Sequence, residues 1–283
     1  MSKQDTESQS QTPKTEVDVW QFVRDDAVKV QAKEPALSAF LDGVVLSHDS
    51  LESVVAFHLG AKLGNGELGS ETLSQLFLQA FQSGPAISAA MRADVIAIVE
   101  RDPACQSYLD PVLYYKGFLV LQAYRGAHFL IENDRRALAL YIQNRASEVF
   151  QADLHPSAII GSGIFMDHST GIVIGETAVV GNDVSMLHGV TLGGSGKERG
   201  DRHPKIGNGV LISVGAKVLG NIRVGDCAKI GGGSVVLTDV PAYSTAVGVP
   251  AKVVGRVSTP EPSRQMDHTV ESQNGENSKT DDA

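Results

Sequence analysis

The stretch IGNGVLISVGAKVLGNIRVGDCAKIGGGSVVLTDV, from Ile206 to Val240, decides the fold. Every sixth residue is aliphatic: Ile206, Ile212, Val218, Val224, Ile230 and Val236. Four places after each come Val210, Ala216, Ile222, Ala228, Ser234 and Val240, nearly all small or apolar, and Gly207, Gly225 and Gly231 directly follow three of the aliphatics. This is the hexapeptide pattern of a parallel β-helix. A three-sided coil points one aliphatic side chain inward per face and fits a small residue beside it. It turns tightly at each corner, where glycine tolerates positive φ. No coil buries its own face alone, so the coils stack.

Working outward, Leu154, Ile160 and Met166 keep the same spacing, as do Ile174, Val180, Met186 and Leu192. The period breaks twice. Two extra residues fall between Met166 and Ile174, and about eight between Leu192 and Ile206, which places a loop at Gly193 to Lys205. Because Met166 and Met186 are one coil apart, His168 and His188, each two places on, are predicted to stack on adjacent coils of one face.

Upstream the period changes. Trp20, Val23, Ala27 and Val30 recur at helical spacing. Asp49 with Glu52 has the form of a capping box ahead of Leu51, Val54 and Val55. Leu73, Leu76, Phe77, Ala80 and Phe81 form another apolar face, and Pro85 suits the first turn of a helix carrying Met91, Val95 and Ile96. Asp110 and Pro111 are read as the cap and first turn of a helix through Gly117, Leu121 and Tyr124, and a last helix is expected from about Asn133 to Phe150. The expected class is α+β: an all-α domain over residues 16–150, a β-helix over 151–256, and disordered polar tails at 1–15 and 257–283.

The 283 residues, 42% hydrophobic, suffice for one large or two modest cores. A net charge of −9 argues against nucleic acid as a partner, since phosphate contacts need a basic surface. No apolar run approaches the roughly 20 residues of a membrane span. Two distant cysteines, Cys105 and Cys227, make no disulfide framework, and the polar N-terminus resembles neither a signal nor a transit peptide. A reducing cytoplasm is the expected compartment.

A regular β-helix is a scaffold, so chemistry is sought where the repeat breaks. The first break holds Asp167-His168-Ser169-Thr170-Gly171; the second is the loop containing Asp201-Arg202-His203-Pro204. His168 is a candidate general base, since an imidazole of pKa about 6.5 is matched to taking a proton from a hydroxyl near neutral pH. It needs a carboxylate to fix its tautomer, and Asp153 at the start of the first coil is the candidate. A zinc site on His155, His168, His188 and His203 is disfavoured, because no pair has close ligand spacing and stacked His168 and His188 supply two ligands of the three required; no metal is assigned.

Several segments together resemble serine O-acetyltransferase, of the hexapeptide-repeat acyltransferase superfamily. They are Phe150 to Pro156, Asp167-His168-Ser169-Thr170-Gly171 with Gly175-Glu176-Thr177-Ala178, Val190 to Gly194, and Asp201-Arg202-His203-Pro204-Lys205. In the helical region Arg101-Asp102-Pro103-Ala104, Tyr114 to Phe118 and Gln122-Ala123-Tyr124-Arg125 agree, as does Gly248-Val249-Pro250-Ala251 at the end of the repeat. The likeness covers roughly Val17 to Arg256.

The resemblance implies a left-handed β-helix and acetyl transfer from acetyl-coenzyme A, a co-substrate rather than a bound cofactor, to the hydroxyl of L-serine for cysteine biosynthesis. By the same carry-over, His168 is the base, with no acetyl-enzyme, and Asp153 orients it. Asp102 and Asp167 bind the serine amino group. Arg202 and His203 hold its carboxylate, for which a planar guanidinium is suited, and Glu176 supports them. Coenzyme A is expected against backbone near Gly194, Gly215 and Gly232. The resemblance further implies a homotrimer or a hexamer of two trimers, with sites between subunits, and inhibition by L-cysteine. Members often end in Ile, which inserts into O-acetylserine sulfhydrylase; the acidic end at Ala283 offers that pocket little apolar area and argues against such a complex. The alternative is a hexapeptide acyltransferase acting on another hydroxyl, such as a sugar's, against which the long helical region and Asp102 argue.

Overall fold

The computed structural model describes residues 16–196 and 199–270. Helices come first: α1 (Glu16–Lys33), α2 (Ser38–Leu41), α3 (Leu51–Leu63), α4 (Ser70–Phe81), α5 (Pro85–Arg101), α6 (Leu109–Tyr114), α7 (Lys116–Glu132) and α8 (Arg136–Phe150). Strands of two or three residues follow: β1 (Asp153–Leu154), β2 (Ile159–Ile160), β3 (Phe165–Asp167), β4 (Val173–Ile174), β5 (Val179–Val180), β6 (Ser185–Leu187), β7 (Thr191–Gly193), β8 (Lys205–Ile206), β9 (Leu211–Ile212), β10 (Lys217–Leu219), β11 (Arg223–Val224), β12 (Lys229–Ile230) and β13 (Val235–Val236). An antiparallel pair, β14 (Ser244–Gly248) and β15 (Ala251–Arg256), closes the stack, and a short helix, α9 (Pro262–Gln265), lies beyond it.

The strands form the three faces of a parallel β-helix, ordered β1-β4-β7-β10-β13, β2-β5-β8-β11, and β3-β6-β9-β12-β14-β15. On the first face Asp153 pairs with Val173, Val173 with Thr191, Thr191 with Lys217 and Lys217 with Val235, steps of 20, 18, 26 and 18 residues. The steps of 20 and 26 carry the two extra residues and the eight-residue loop expected from the sequence. Every aliphatic of the six-residue series from Leu154 to Val236 is buried. Side chains of this kind contribute roughly 1.5–3 kcal/mol each on burial.

The glycines serve differently than expected. Positive φ falls on Gly209, Gly215 and Gly233, not on Gly207, Gly225 or Gly231. Those three are glycine because the next coil lies too close: a Cβ on Gly207 would stand 2.4 Å from Asp226 Oδ1.

The helical layer is fastened to the first coil by buried polar groups. Asp94, fully buried on α5, accepts from Arg125 Nε (3.0 Å) and Nη2 (2.7 Å), Gln122 Nε2 (3.0 Å) and the backbone N–H of Ile164 (3.0 Å). Arg125 also donates to Gly161 O (2.8 Å), and Tyr124 OH to Ala158 O (2.6 Å). Arg101, at the last position of α5, reaches Gly163 O (3.0 Å), Ser185 Oγ (3.1 Å) and Asp183 (2.9 Å).

Two sequence expectations need correction. The cap of α3 is Ser50 paired with Ser53, while Glu52 turns inward to Ser88 and Arg92. The helix expected to run from Asp110 through Gly117 is two, because Tyr115 is extended between α6 and α7. The polar stretch after Arg256 packs on the β-helix as far as Val270. It is held by polar anchors that an aliphatic pattern does not reveal: Ser185 Oγ donates to Ser263 O (2.8 Å), His268 Nδ1 meets Ser213 Oγ (2.9 Å) and Lys229 Nζ donates to Thr269 O (2.5 Å). The tail at 1–15 and residues 271–283, including Ala283, lie outside the described residues. Among the described residues no helix is long and apolar enough to cross a membrane.

Candidate active site

The corner between the third and first faces carries the first break in the repeat. His168 and Ser169 there are both left-handed, each with φ 55°. The predicted stacking holds: β3 and β6 pair Met166 with Met186, and the rings of His168 and His188 lie edge to face with centroids 5.8 Å apart. The His168 side chain is 74% exposed, and its Nε2 is 3.7 Å from Asp167 Oδ1, beyond hydrogen-bond reach but within an ion-pair distance.

His168 and Asp167 line a cavity of about 1060 Å³ together with Asp102, at the end of α5, and with Cys105, Tyr114 and Lys116. Asp102 is shaped by its own turn, its Oδ1 accepting from Ala104 N–H (2.8 Å). The segment after Arg256 supplies a wall through Arg264, Met266 and His268, which the sequence did not suggest. Lys116 Nζ bonds Thr170 Oγ1, and Gly117 lies so flat on β3 that a Cβ would stand 2.0 Å from Met166 O.

Asp153 is not bonded to His168. Its Oδ1 accepts from Gln143 Nε2 (2.6 Å), and the carboxylate beside His168 is Asp167. The orienting role expected for Asp153 thus has no contact behind it in the single chain.

The remaining polar candidates gather at the next corner. Arg202 Nη2 meets Glu176 Oε2 at 2.7 Å, and the pairing holds the Glu176 carboxyl below its usual range. His203 Nδ1 accepts from the backbone N–H of Thr177 (3.1 Å) and lies 2.8 Å from its hydroxyl, so in the neutral ring the proton sits on Nε2. Burial, with Arg202 adjacent, lowers the His203 pKa and favours that neutral form. Thr177 Oγ1 also accepts from the backbone N–H of Arg202 (3.0 Å) and His203 (3.1 Å). Gly175 must be glycine, since a Cβ there would stand 2.1 Å from the His203 ring. Gly175-Glu176-Thr177 is therefore a seat for the returning loop: a gap for the ring, a carboxylate for the guanidinium, a hydroxyl for the backbone. In the sequence, Gly175 and Thr177 were legible only as members of the family motif.

The glycines divide in the same way. Gly232 continues the column of His168 and His188, and Gly215 adjoins that column, whereas Gly194 abuts Arg202 at the other corner. Between Gly171 and Gly175 the chain crosses the face in four steps, so the corners are roughly 13 Å apart at about 3.3 Å per residue. One chain therefore presents two candidate half-sites, one with an exposed imidazole and carboxylates, the other with guanidinium and imidazole. Among the described residues no cluster of three or more His, Cys, Asp or Glu is arranged to hold a metal ion.

The chain is similar to known proteins over most of its length. The family described as "Serine acetyltransferase, N-terminal" matches residues 19–123. Serine acetyltransferase of Haemophilus influenzae is 48% identical over 250 residues, covering 88% of this chain and 94% of that protein. The chain belongs to the serine acetyltransferase family. The mitochondrial serine acetyltransferase 3 of Arabidopsis thaliana is 53% identical over 257 residues, which span 89% of this chain and 66% of that longer protein. Among solved structures, a serine acetyltransferase in complex with cysteine superposes with a TM-score of 0.89 at 46% identity, covering 90% of this chain and 100% of that one. The soybean serine acetyltransferase complexed with serine gives 0.83 at 54% identity (86% and 100%). The Brucella abortus serine acetyltransferase in complex with coenzyme A gives 0.83 at 48% identity (85% and 96%).

Proposed function

We propose that the chain is a serine O-acetyltransferase that moves the acetyl group of acetyl-coenzyme A onto the hydroxyl of L-serine, giving O-acetyl-L-serine for cysteine biosynthesis. The observation that carries this reading is one cavity that gathers an exposed imidazole, His168, with two carboxylates, Asp102 and Asp167. The carboxylates suit a substrate ammonium. At the other half-site, Arg202 and the Nε2–H of His203 suit its carboxylate, with Glu176 holding Arg202 in place.

In this mechanism neutral His168 takes the serine hydroxyl proton as the oxygen attacks the thioester carbonyl. The tetrahedral intermediate then expels the thiolate: the C–S bond breaks, the ester C–O bond remains, and the proton held by His168 passes to sulfur. No acetyl-enzyme forms. Asp167, 3.7 Å from the ring, favours the transient imidazolium. Acetyl-coenzyme A is a co-substrate that lies along the edge marked by Gly215 and Gly232, with Gly194 facing it from a neighbouring copy.

Because the half-sites stand at separate corners of one prism, a complete site is assembled between copies, in a homotrimer or a hexamer of two trimers. L-Cysteine, isosteric with serine apart from the thiol, is the expected inhibitor. The cytoplasm is the proposed compartment.

The test is thiol release from acetyl-coenzyme A with and without L-serine, then with added L-cysteine. Release that requires serine and is suppressed by cysteine is expected. Release that ignores serine but follows an added sugar would overturn the assignment.

A further inference from the structure

The corner that presents His168 is poorly supported by its own coil. It holds two residues more than an 18-residue turn. Two consecutive non-glycine residues, His168 and Ser169, are left-handed, a conformation that costs roughly 1–2 kcal/mol per residue. The imidazole makes no hydrogen bond among the described residues, and the buried Ser169 hydroxyl has no partner. The position of His168 is therefore set by the backbone around it.

That backbone is gripped from outside by the first turn of α7. Gly117 lies against Met166 O, two residues before His168, at a separation no side chain would permit. Lys116 Nζ donates to Thr170 Oγ1, two residues after it, and Thr170 Oγ1 in turn lies 3.5 Å from His168 O. The break at Tyr115 between α6 and α7 is what turns Lys116 toward the corner. The corner is thus held on both flanks by one helix end.

We propose that Lys116, acting through Thr170, is a positioning residue for His168, and that α7 thereby fixes the base at the mouth of the cavity. This rests on the acetyltransferase reading above. Lys116 also borders the cavity, so the test must separate positioning from direct substrate contact.

A double-mutant cycle on the full chain does so, using Lys116→Met, Thr170→Val and both together, with serine and acetyl-coenzyme A saturation curves and a pH profile for each. Each single variant is expected to lower kcat by about tenfold to a hundredfold, the scale on which small misplacement of a catalytic group acts. Both KM values should stay within about twofold, and the double variant should be no worse than the poorer single one, since they break one connection. The acid limb of the pH profile should keep its midpoint, because the lysine acts by placement and not by charge. Lys116→Arg should restore much of kcat. Additive losses, a loss for Lys116→Met expressed in the acetyl-coenzyme A KM with Thr170→Val unaffected, or an unchanged kcat in both singles would each overturn the proposal. Absence of serine-dependent release in the unaltered protein would instead refute the acetyltransferase reading itself.

Discussion

Gly175→Ala is the sharpest probe of the carboxylate half-site. Gly175 has no positive φ, so alanine meets no backbone penalty there and only space is tested. The new Cβ would stand 2.1 Å from Cδ2 and Nε2 of His203, where a comfortable contact begins at 3.4 Å. The ring must retreat by more than 1 Å, which breaks its bonds to Thr177 N–H and hydroxyl at 3.1 and 2.8 Å. Two such bonds contribute about 1 kcal/mol each to stability, and a hydrogen bond to a charged group about 1.5–3 kcal/mol. Applied to the bond from Nε2–H to the serine carboxylate, that range is roughly a tenfold to hundredfold loss of kcat/KM for serine. Steady-state kinetics with serine varied at saturating acetyl-coenzyme A should show that loss, with the acetyl-coenzyme A KM within about twofold. A serine KM like that of the parent, in a protein of unchanged urea midpoint, would refute the placement of His203 in the serine site.

Two further outcomes follow from buried ionisable groups in the helical layer. His58, buried on α3 with Nε2 3.1 Å from Leu113 O, has its pKa lowered to about 4 by burial. Between that value and the unfolded value of about 6.5 the unfolded chain binds more protons, so stability falls as pH falls, by roughly 2 kcal/mol at pH 5 and about 3 kcal/mol at pH 4. Urea midpoints of the parent and of His58→Gln across that window should diverge, the variant losing less; parallel curves would remove His58 as the cause. Asp94→Ala strips four donors of their acceptor and leaves the buried Arg125 charge unpaired, which should cost about 3–5 kcal/mol in thermal or urea unfolding; a loss below about 1 kcal/mol would mean that solvent reaches the joint.

The β-helix was legible because its signal is redundant. Six aliphatics in period from Ile206 to Val236 leave one way to bury them all, and the same period located both interruptions and the stacking of His168 on His188. The capping box of α3 was misplaced by one residue because Asp49 and Glu52 carry the same spacing signature as Ser50 and Ser53, and only the burial of Glu52 against Arg92 separates them. The break at Tyr115 left no mark, since neither glycine nor proline supplies it. The packing of residues 257–270 left no aliphatic mark, since Lys229, Ser213 and Ser185 anchor that stretch by hydrogen bonds to its backbone carbonyls and to His268. Family motifs named Arg202 and His203, but the part played by Gly175 depends on two segments 28 residues apart meeting ring to backbone.

The separation of His168 and Arg202 onto different corners has a genetic consequence. If each site borrows His168 from one copy and Arg202 from the next, two differently crippled chains can repair one another. His168→Ala and Arg202→Ala proteins, each inactive at low serine, would on mixing through reversible unfolding regain about a quarter of the parental sites, the fraction of subunit boundaries at which two intact corners meet by chance. Such complementation is denied to an enzyme whose machinery is enclosed within one chain.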